Sequence, residues 1–141
     1  MAVLDIVKDE NVLSIVCTKA NYKESSPVVK DLLDTARDHS DNCYGLAANQ
    51  IGYSVRIIAV RTPKDDFQII LNPMIINHSN SKHVSEEYCL SWPGISKTVE
   101  RWDWVEVMYE LPNGKRKKER FSGIRSVIIQ HEMDHLAGKL I

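Results

Sequence analysis

The sequence predicts an α+β fold: antiparallel β-sheets around a C-terminal metal-binding helix, with a second helix nearer the N-terminus. Three observations point there. Apolar residues recur at helical spacing just after a Ser-Ser-Pro start. Short β-branched runs are separated by turn residues, Asn113-Gly114 among them. A helical pattern near the end of the chain carries His131, Glu132 and His135 in the order H-E-x-x-H.

Val12 to Cys17, V-L-S-I-V-C, is mostly apolar and reads as a buried strand. Ser25-Ser26-Pro27 offers a hydroxyl cap and then a proline in the first turn, where its missing N–H is not needed. Val28, Val29, Leu32, Leu33 and Ala36 follow, so residues 27–39 form an amphipathic helix. Gly45 to Gly52 is small and polar and reads as a loop or tight connection. Val55 to Val60 is a strand, and Phe67 to Leu71 is another, stopped by Asn72-Pro73. Met74 to Ile76 and a stretch near His83 continue the sheet. Val105 to Tyr109 alternates, Leu111-Pro112-Asn113-Gly114 turns the chain, and Lys118 to Phe121 returns. Ser122 caps the last helix, and Gly138 fits the position just past its end.

With 141 residues and no repeat or linker, residues 1–141 are expected to form a single catalytic domain. A formal charge of -1 makes no global case for nucleic acid or an anionic membrane. The basic run Lys115 to Lys118, with Arg120, reads as a solvated hairpin arm. Cys17, Cys43 and Cys89 cannot all pair and form no C-x-x-C, which fits a reducing compartment. Acids at Asp5, Asp9 and Glu10 exclude a signal or transit peptide from the reading, and no run approaches the roughly 20 apolar residues of a membrane span. A cytoplasmic protein is expected.

Histidines at i and i+4 project from one helix face and can bind one ion, with Glu132 placed to take a proton from water. A third donor is required. Thermolysin-type enzymes take a downstream Glu, and here nothing lies downstream. The metzincin pattern H-E-x-x-H-x-x-G-x-x-H fits through Gly138, but its last His would fall at Ile141. Both protease readings lose their third donor, so it comes from upstream. Cys17 reads as core, and His39, His78 and His83 look solvated. Cys43 and Cys89 both remain, and spacing does not choose between them.

Three stretches together resemble peptide deformylases. They are Gly45-Leu46-Ala47-Ala48-Asn49-Gln50, Glu87-Tyr88-Cys89-Leu90-Ser91, and Gln130 to Gly138, Q-H-E-M-D-H-L-A-G. They are similar to that family's G-x-G-L-A-A-x-Q, E-G-C-L-S and Q-H-E-x-D-H-L-x-G, in the same order. The resemblance covers essentially the whole chain. It departs at Cys43, where the first motif usually begins with Gly, and at Tyr88, where Gly usually precedes the cysteine. The compact length resembles deformylases carried by some bacteriophages.

The resemblance implies a deformylase-like α+β fold and removal of the formyl group from N-terminal methionine, releasing formate. It implies Cys89, His131 and His135 as metal ligands and Glu132 as general base. The Gln50 amide and the Leu90 backbone N–H are then the oxyanion donors. Gly45 and Glu87 contact the peptide, Tyr88 adds bulk beside its groove, and Val127 and Ile128 line a pocket for the Met side chain. Asp134 and Arg101 support the ligand residues from behind or are structural. The implied cofactor is one divalent metal ion, Fe(II) in the cell, with Zn, Ni or Co able to occupy the site. The implied partners are N-formylmethionyl peptides or nascent chains met at the ribosome exit, with no nucleic acid or membrane bound and a monomer expected. A zinc endopeptidase and a non-enzymatic metal- or thiol-binding domain are the competing readings.

Overall fold

The computed structural model describes residues 2–141. In chain order the elements are α1 (Glu10–Leu13), α2 (Ser26–Asp38), β1 (Gly45–Ala47), β2 (Ile57–Arg61) and β3 (Phe67–His78). They continue with β4 (Lys82–Tyr88), β5 (Ser96–Trp102), β6 (Trp104–Glu110), β7 (Arg116–Ser122) and α3 (Ile124–Leu136). A five-stranded antiparallel sheet runs in the order β1-β2-β3-β6-β7, and β4 pairs with β5 alone. No helix among the described residues is long and apolar enough to cross a membrane.

Strand alternation divides the core into two halves. Ile58 and Val60 of β2, with Ile70, Val105, Val107 and Phe121, pack against Ile128, Ile129 and Leu136 of α3. Ile57 and Ala59, with Ile69 and Leu71, pack on the other face against Leu32 and Ala36 of α2. β2 is therefore apolar at consecutive positions because both of its faces are covered. The sheet fixes α3 along its length, and α3 carries the chemistry.

Several sequence expectations are corrected. Val12 to Cys17 is not a strand: the Asp9 carboxylate accepts from Asn11 N–H at 2.9 Å and caps α1, and only Leu13 and Cys17 are buried while Ile15 and Val16 face solvent. Gly45 to Gly52 is not a loop but β1 followed by a 3-10 turn over Ala48–Ile51. β3 does not stop at Asn72-Pro73. It absorbs them in a register shift between Leu71 and Met74, with Asn72 at φ 50, where proline's missing N–H breaks no ladder bond. The stretch near His83 joins the separate β4–β5 pair rather than the main sheet. Ser122 ends β7, and Gly123, at φ 61 and ψ -140, occupies the cap position of α3 without a side-chain bond. The α2 helix and the β6–β7 hairpin stand as expected, and Gly138 lies just past α3 with φ 78.

Candidate active site

The helical repeat of α3 places His131 and His135 one turn apart with their Nε2 atoms separated by 3.2 Å. Cys89 follows directly on β4, so the two-stranded arm delivers its sulfur to the helix. Cys89 Sγ lies 3.3 Å from His135 Nε2, and the three donor atoms all fall within 4.8 Å of one another. Donors held at about 2.0–2.3 Å from one tetrahedral ion stand roughly 3.5 Å apart, so the spacing fits a single ion. One sulfur and two imidazoles suit a divalent first-row transition metal better than Mg or Ca. Among the described residues no other group of three such side chains converges in this way.

A polar network orients the first imidazole. His131 Nδ1 donates to Glu87 Oε1 at 2.6 Å, which leaves Nε2 facing Cys89 and His135. Arg101, itself buried, grips Glu87 with both arms of its fork, at 2.8 Å and 2.7 Å, and reaches Asp134 with the remaining nitrogen. Burial alone would push the Glu87 carboxyl up, but the Arg101 guanidinium and His131 overcome it and hold it at about 2. Against burial, the Cys89 sulfur and then the Glu87 carboxylate push the pKa of His131 up, whereas burial and the neighbouring His131 charge push that of His135 down. Glu87, which the resemblance puts against the peptide, borders the groove and gives its carboxylate to His131 and Arg101.

Glu132 is 4% exposed, and its Oε1 has no partner in the protein. Burial pushes its carboxyl up to about 7, against the opposing pull of His131. That is the range in which a carboxylate can both take and return a proton near neutral pH. Gln50 lies on the 3-10 turn after β1. Its Nε2 donates to Cys89 Sγ at 3.1 Å, and its Oε1 accepts from Ala47 N–H at 2.9 Å.

Cys89, His131, Glu132 and Glu87 border a groove of about 920 Å³. Val127 and Ile128 of α3 form an apolar wall, while Gly45, Glu87 and Leu90 border the groove from β1, β4 and the turn after it. Tyr88 does not fill the groove. It is 66% exposed at the rim, with its hydroxyl on Glu86 at 3.0 Å. Cys43 also borders the groove, but it is buried, donates to Gly45 O at 3.3 Å, and is pushed up to about 12 by burial and by Glu132. A thiol so hard to ionise is a poor nucleophile and ligand. Cys17, His39 and His78 lie outside the donor cluster, and His83 pairs with Asp103 at 2.7 Å. Sequence reasoning assigned nothing to Ser91, which accepts from Gln50 Nε2 at 3.2 Å, or to Asn49, whose Nδ2 donates to the His135 carbonyl at 2.8 Å. Both sit inside the matched motifs, and that was the only signal for them.

H-E-x-x-H hydrolases whose cysteine donor arrives from an upstream strand stand apart from the proteases that draw their third donor from downstream. The fold and the donor geometry put this chain in that metal-dependent class. Within the class it belongs to the polypeptide deformylase family, whose model matches residues 3–141. The chain is 41% identical over 119 residues to the peptide deformylase of Clostridium beijerinckii, covering 84% of this chain and 85% of that one. It spans less of three other curated peptide deformylases, 65%, 64% and 63% of their length. A crystal structure of class I type b peptide deformylase from Acinetobacter baumannii with Met-Ala-Ser bound superposes with a TM-score of 0.89 at 30% identity, over 99% of this chain and 97% of that one. A probable peptide deformylase from synechococcus phage S-SSM7 superposes with a TM-score of 0.84 at 28% identity, over 99% and 97% of the two chains.

Proposed function

We propose that this chain hydrolyses the N-formyl group from the N-terminal methionine of new polypeptides, releasing formate. One observation carries the reading: the Cys89, His131 and His135 donors converge beside a buried Glu132 that has an unpartnered oxygen and lines a groove of about 920 Å³. Cys89, His131 and His135 would hold one divalent ion, Fe(II) in the cell, with Zn, Ni or Co able to replace it. When bound, such an ion supplies Lewis acidity and lowers the pKa of water.

The chain's own groups do the rest. Glu132 takes a proton from the attacking water and returns it to the departing amine, so that formate and a free N-terminus result. The Gln50 amide and the Leu90 backbone N–H stabilise the tetrahedral oxyanion. Gly45 offers backbone to an extended peptide, and Val127 and Ile128 receive the Met side chain. Tyr88 borders the chain beyond it. Arg101 and Glu87 keep His131 in its tautomer. The Met-Ala-Ser complex of the Acinetobacter baumannii relative supports a peptide in the same groove. Nascent chains in the cytoplasm, met at the ribosome exit, are the corresponding substrate pool, with the protein acting as a monomer in a bacterial or phage-infected cell.

The test is formate release from formyl-Met-Ala-Ser by protein prepared without oxygen and loaded with Fe(II) or, in parallel, Zn(II). Release that is lost in both Cys89→Ala and Glu132→Ala supports the reaction, the third ligand and the base together. No release from folded, metal-loaded protein overturns the reading.

A further inference from the structure

Ser91 follows Leu90 in the chain and is 1% exposed, and among the described residues its hydroxyl is hydrogen-bonded to Gln50 alone. The Gln50 side chain is tied at three points. Its Oε1 accepts from Ala47 N–H at 2.9 Å, and its Nε2 donates to Ser91 Oγ at 3.2 Å and to Cys89 Sγ at 3.1 Å. The two hydrogens of a primary amide diverge in one plane. With the carbonyl fixed by Ala47 and one N–H fixed by Ser91, the second N–H is left pointing at the space beside the Cys89 sulfur. Sulfur is a weak acceptor, whereas a developing oxyanion is a strong one. That second N–H can therefore pass from sulfur to substrate while the first stays on the serine.

We propose that Ser91 is a positioning residue of the deformylation reaction, holding the Gln50 amide in the single orientation that aims one N–H at the tetrahedral oxyanion. The proposal rests on the deformylase reading. Without the Ser91 hydroxyl, a buried N–H loses its acceptor, and the amide plane can rotate so that the second N–H no longer holds its aim. The buried Ser91 hydroxyl is spent on Gln50 and Ser91 is not among the residues lining the groove, so KM should change little. The loss therefore belongs to kcat.

A double-mutant cycle on formyl-Met-Ala-Ser tests it. Ser91→Ala should lower kcat about tenfold, the worth of one hydrogen bond, with KM changed less than about twofold. In a Gln50→Ala background the same change should cost less than about twofold, since the group it acts through is gone. Ser91→Thr keeps the hydroxyl and should recover most of the rate. A second readout needs neither metal nor turnover. In metal-free protein the two side-chain amide proton resonances of Gln50 should shift in Ser91→Ala and stay near their native positions in Ser91→Thr.

Equal losses in both backgrounds, or Gln50 resonances that do not move, overturn the proposal. So does a lowered melting temperature with kcat unchanged, which marks Ser91 as packing alone. A native protein that releases no formate removes the deformylase reading and the catalytic claim with it. The Gln50 resonances then show separately whether Ser91 orients the amide.

Discussion

Glu132 and Gly45 approach so closely that no side chain fits between them. A Cβ at position 45 would lie 2.7 Å from Glu132 Oε2 and 2.9 Å from Ile128 Cγ2. The edge strand β1 thus presses bare backbone onto the carboxylate that serves as base. Gly45→Ala should displace that carboxylate and lower kcat/KM by about 10², the cost of a misplacement near 1 Å. Metal content, measured by atomic emission, should be unchanged, because the donors lie elsewhere. A variant with near-native turnover would mean that Glu132 can shift freely in its pocket.

The Glu132 carboxyl, pushed by burial up to about 7, favours its neutral form in the fold. The sign for stability follows. The folded pKa exceeds the ordinary value, so the stabilisation is complete below that value and is lost as pH rises through about 7. Metal-free protein should therefore melt at lower temperature at mildly alkaline than at mildly acidic pH, and Glu132→Gln should flatten that slope. Activity runs the other way, since the base must be ionised. A bound dication draws the carboxyl down, so the acid limb of kcat/KM in loaded enzyme should fall below the midpoint that carbon NMR gives for Glu132 in metal-free protein. An acid limb above that midpoint would assign the ionisation to another group.

The buried Arg101 joins the buried Glu87 carboxylate and the half-buried Asp134 in an ion network behind His131. Glu87 is held at about 2, so its share of stability is present above the ordinary carboxyl range and is lost as pH falls through about 2. Removing the guanidinium leaves Glu87 with His131 alone and Asp134 with the exposed Lys139 alone. Arg101→Ala should cost about 3–5 kcal/mol in urea unfolding at neutral pH. Arg101→Lys keeps a charge but loses the two-pronged grip, so its main effect should fall on His131. Competition with a chelator should then show metal affinity weakened about 10–100-fold. Native affinity in Arg101→Lys would confine the network to a structural task.

The metal helix was legible in sequence because its information is local. His131, Glu132 and His135 are placed by the helical repeat, and Gly138 marks where the helix stops. The third donor was not local. Cys43 and Cys89 stood level on spacing, and only the motif resemblance separated them. The structure separates them physically: the β4–β5 arm brings Cys89 to His135, whereas Cys43 is buried against Gly45. The same distance dependence explains the fold errors. Pro73 reads as a stop because proline lacks the N–H a central strand needs, but the register shift beside it lets β3 run on to pair with β6. V-L-S-I-V-C reads as a strand from its hydrophobicity, but the helix that Asp9 caps runs into it as far as Leu13, and half of the run faces solvent. The task of Glu87 depends on Arg101, its partner across the β4–β5 sheet region, and no pattern in either segment announces it.

The three cysteines differ in burial, and this orders their reactivity. Cys17 and Cys43 are buried and their thiols are pushed up by desolvation, Cys43 to about 12. Cys89 is half-buried, and it borders the groove. Iodoacetamide added to metal-free protein at mildly alkaline pH should therefore alkylate Cys89 first, as read by peptide mass spectrometry. Loading with Zn(II) should protect that residue and leave the others unchanged. The same order governs damage in air: oxygen adducts should collect on Cys89, and Cys43→Ala should keep both native turnover and native oxygen sensitivity. Alkylation of Cys43 ahead of Cys89 would show that the β1 edge opens more readily than its packing against Glu132 allows. The departure from glycine at position 43 would then be a second reactive thiol rather than a tolerated piece of core.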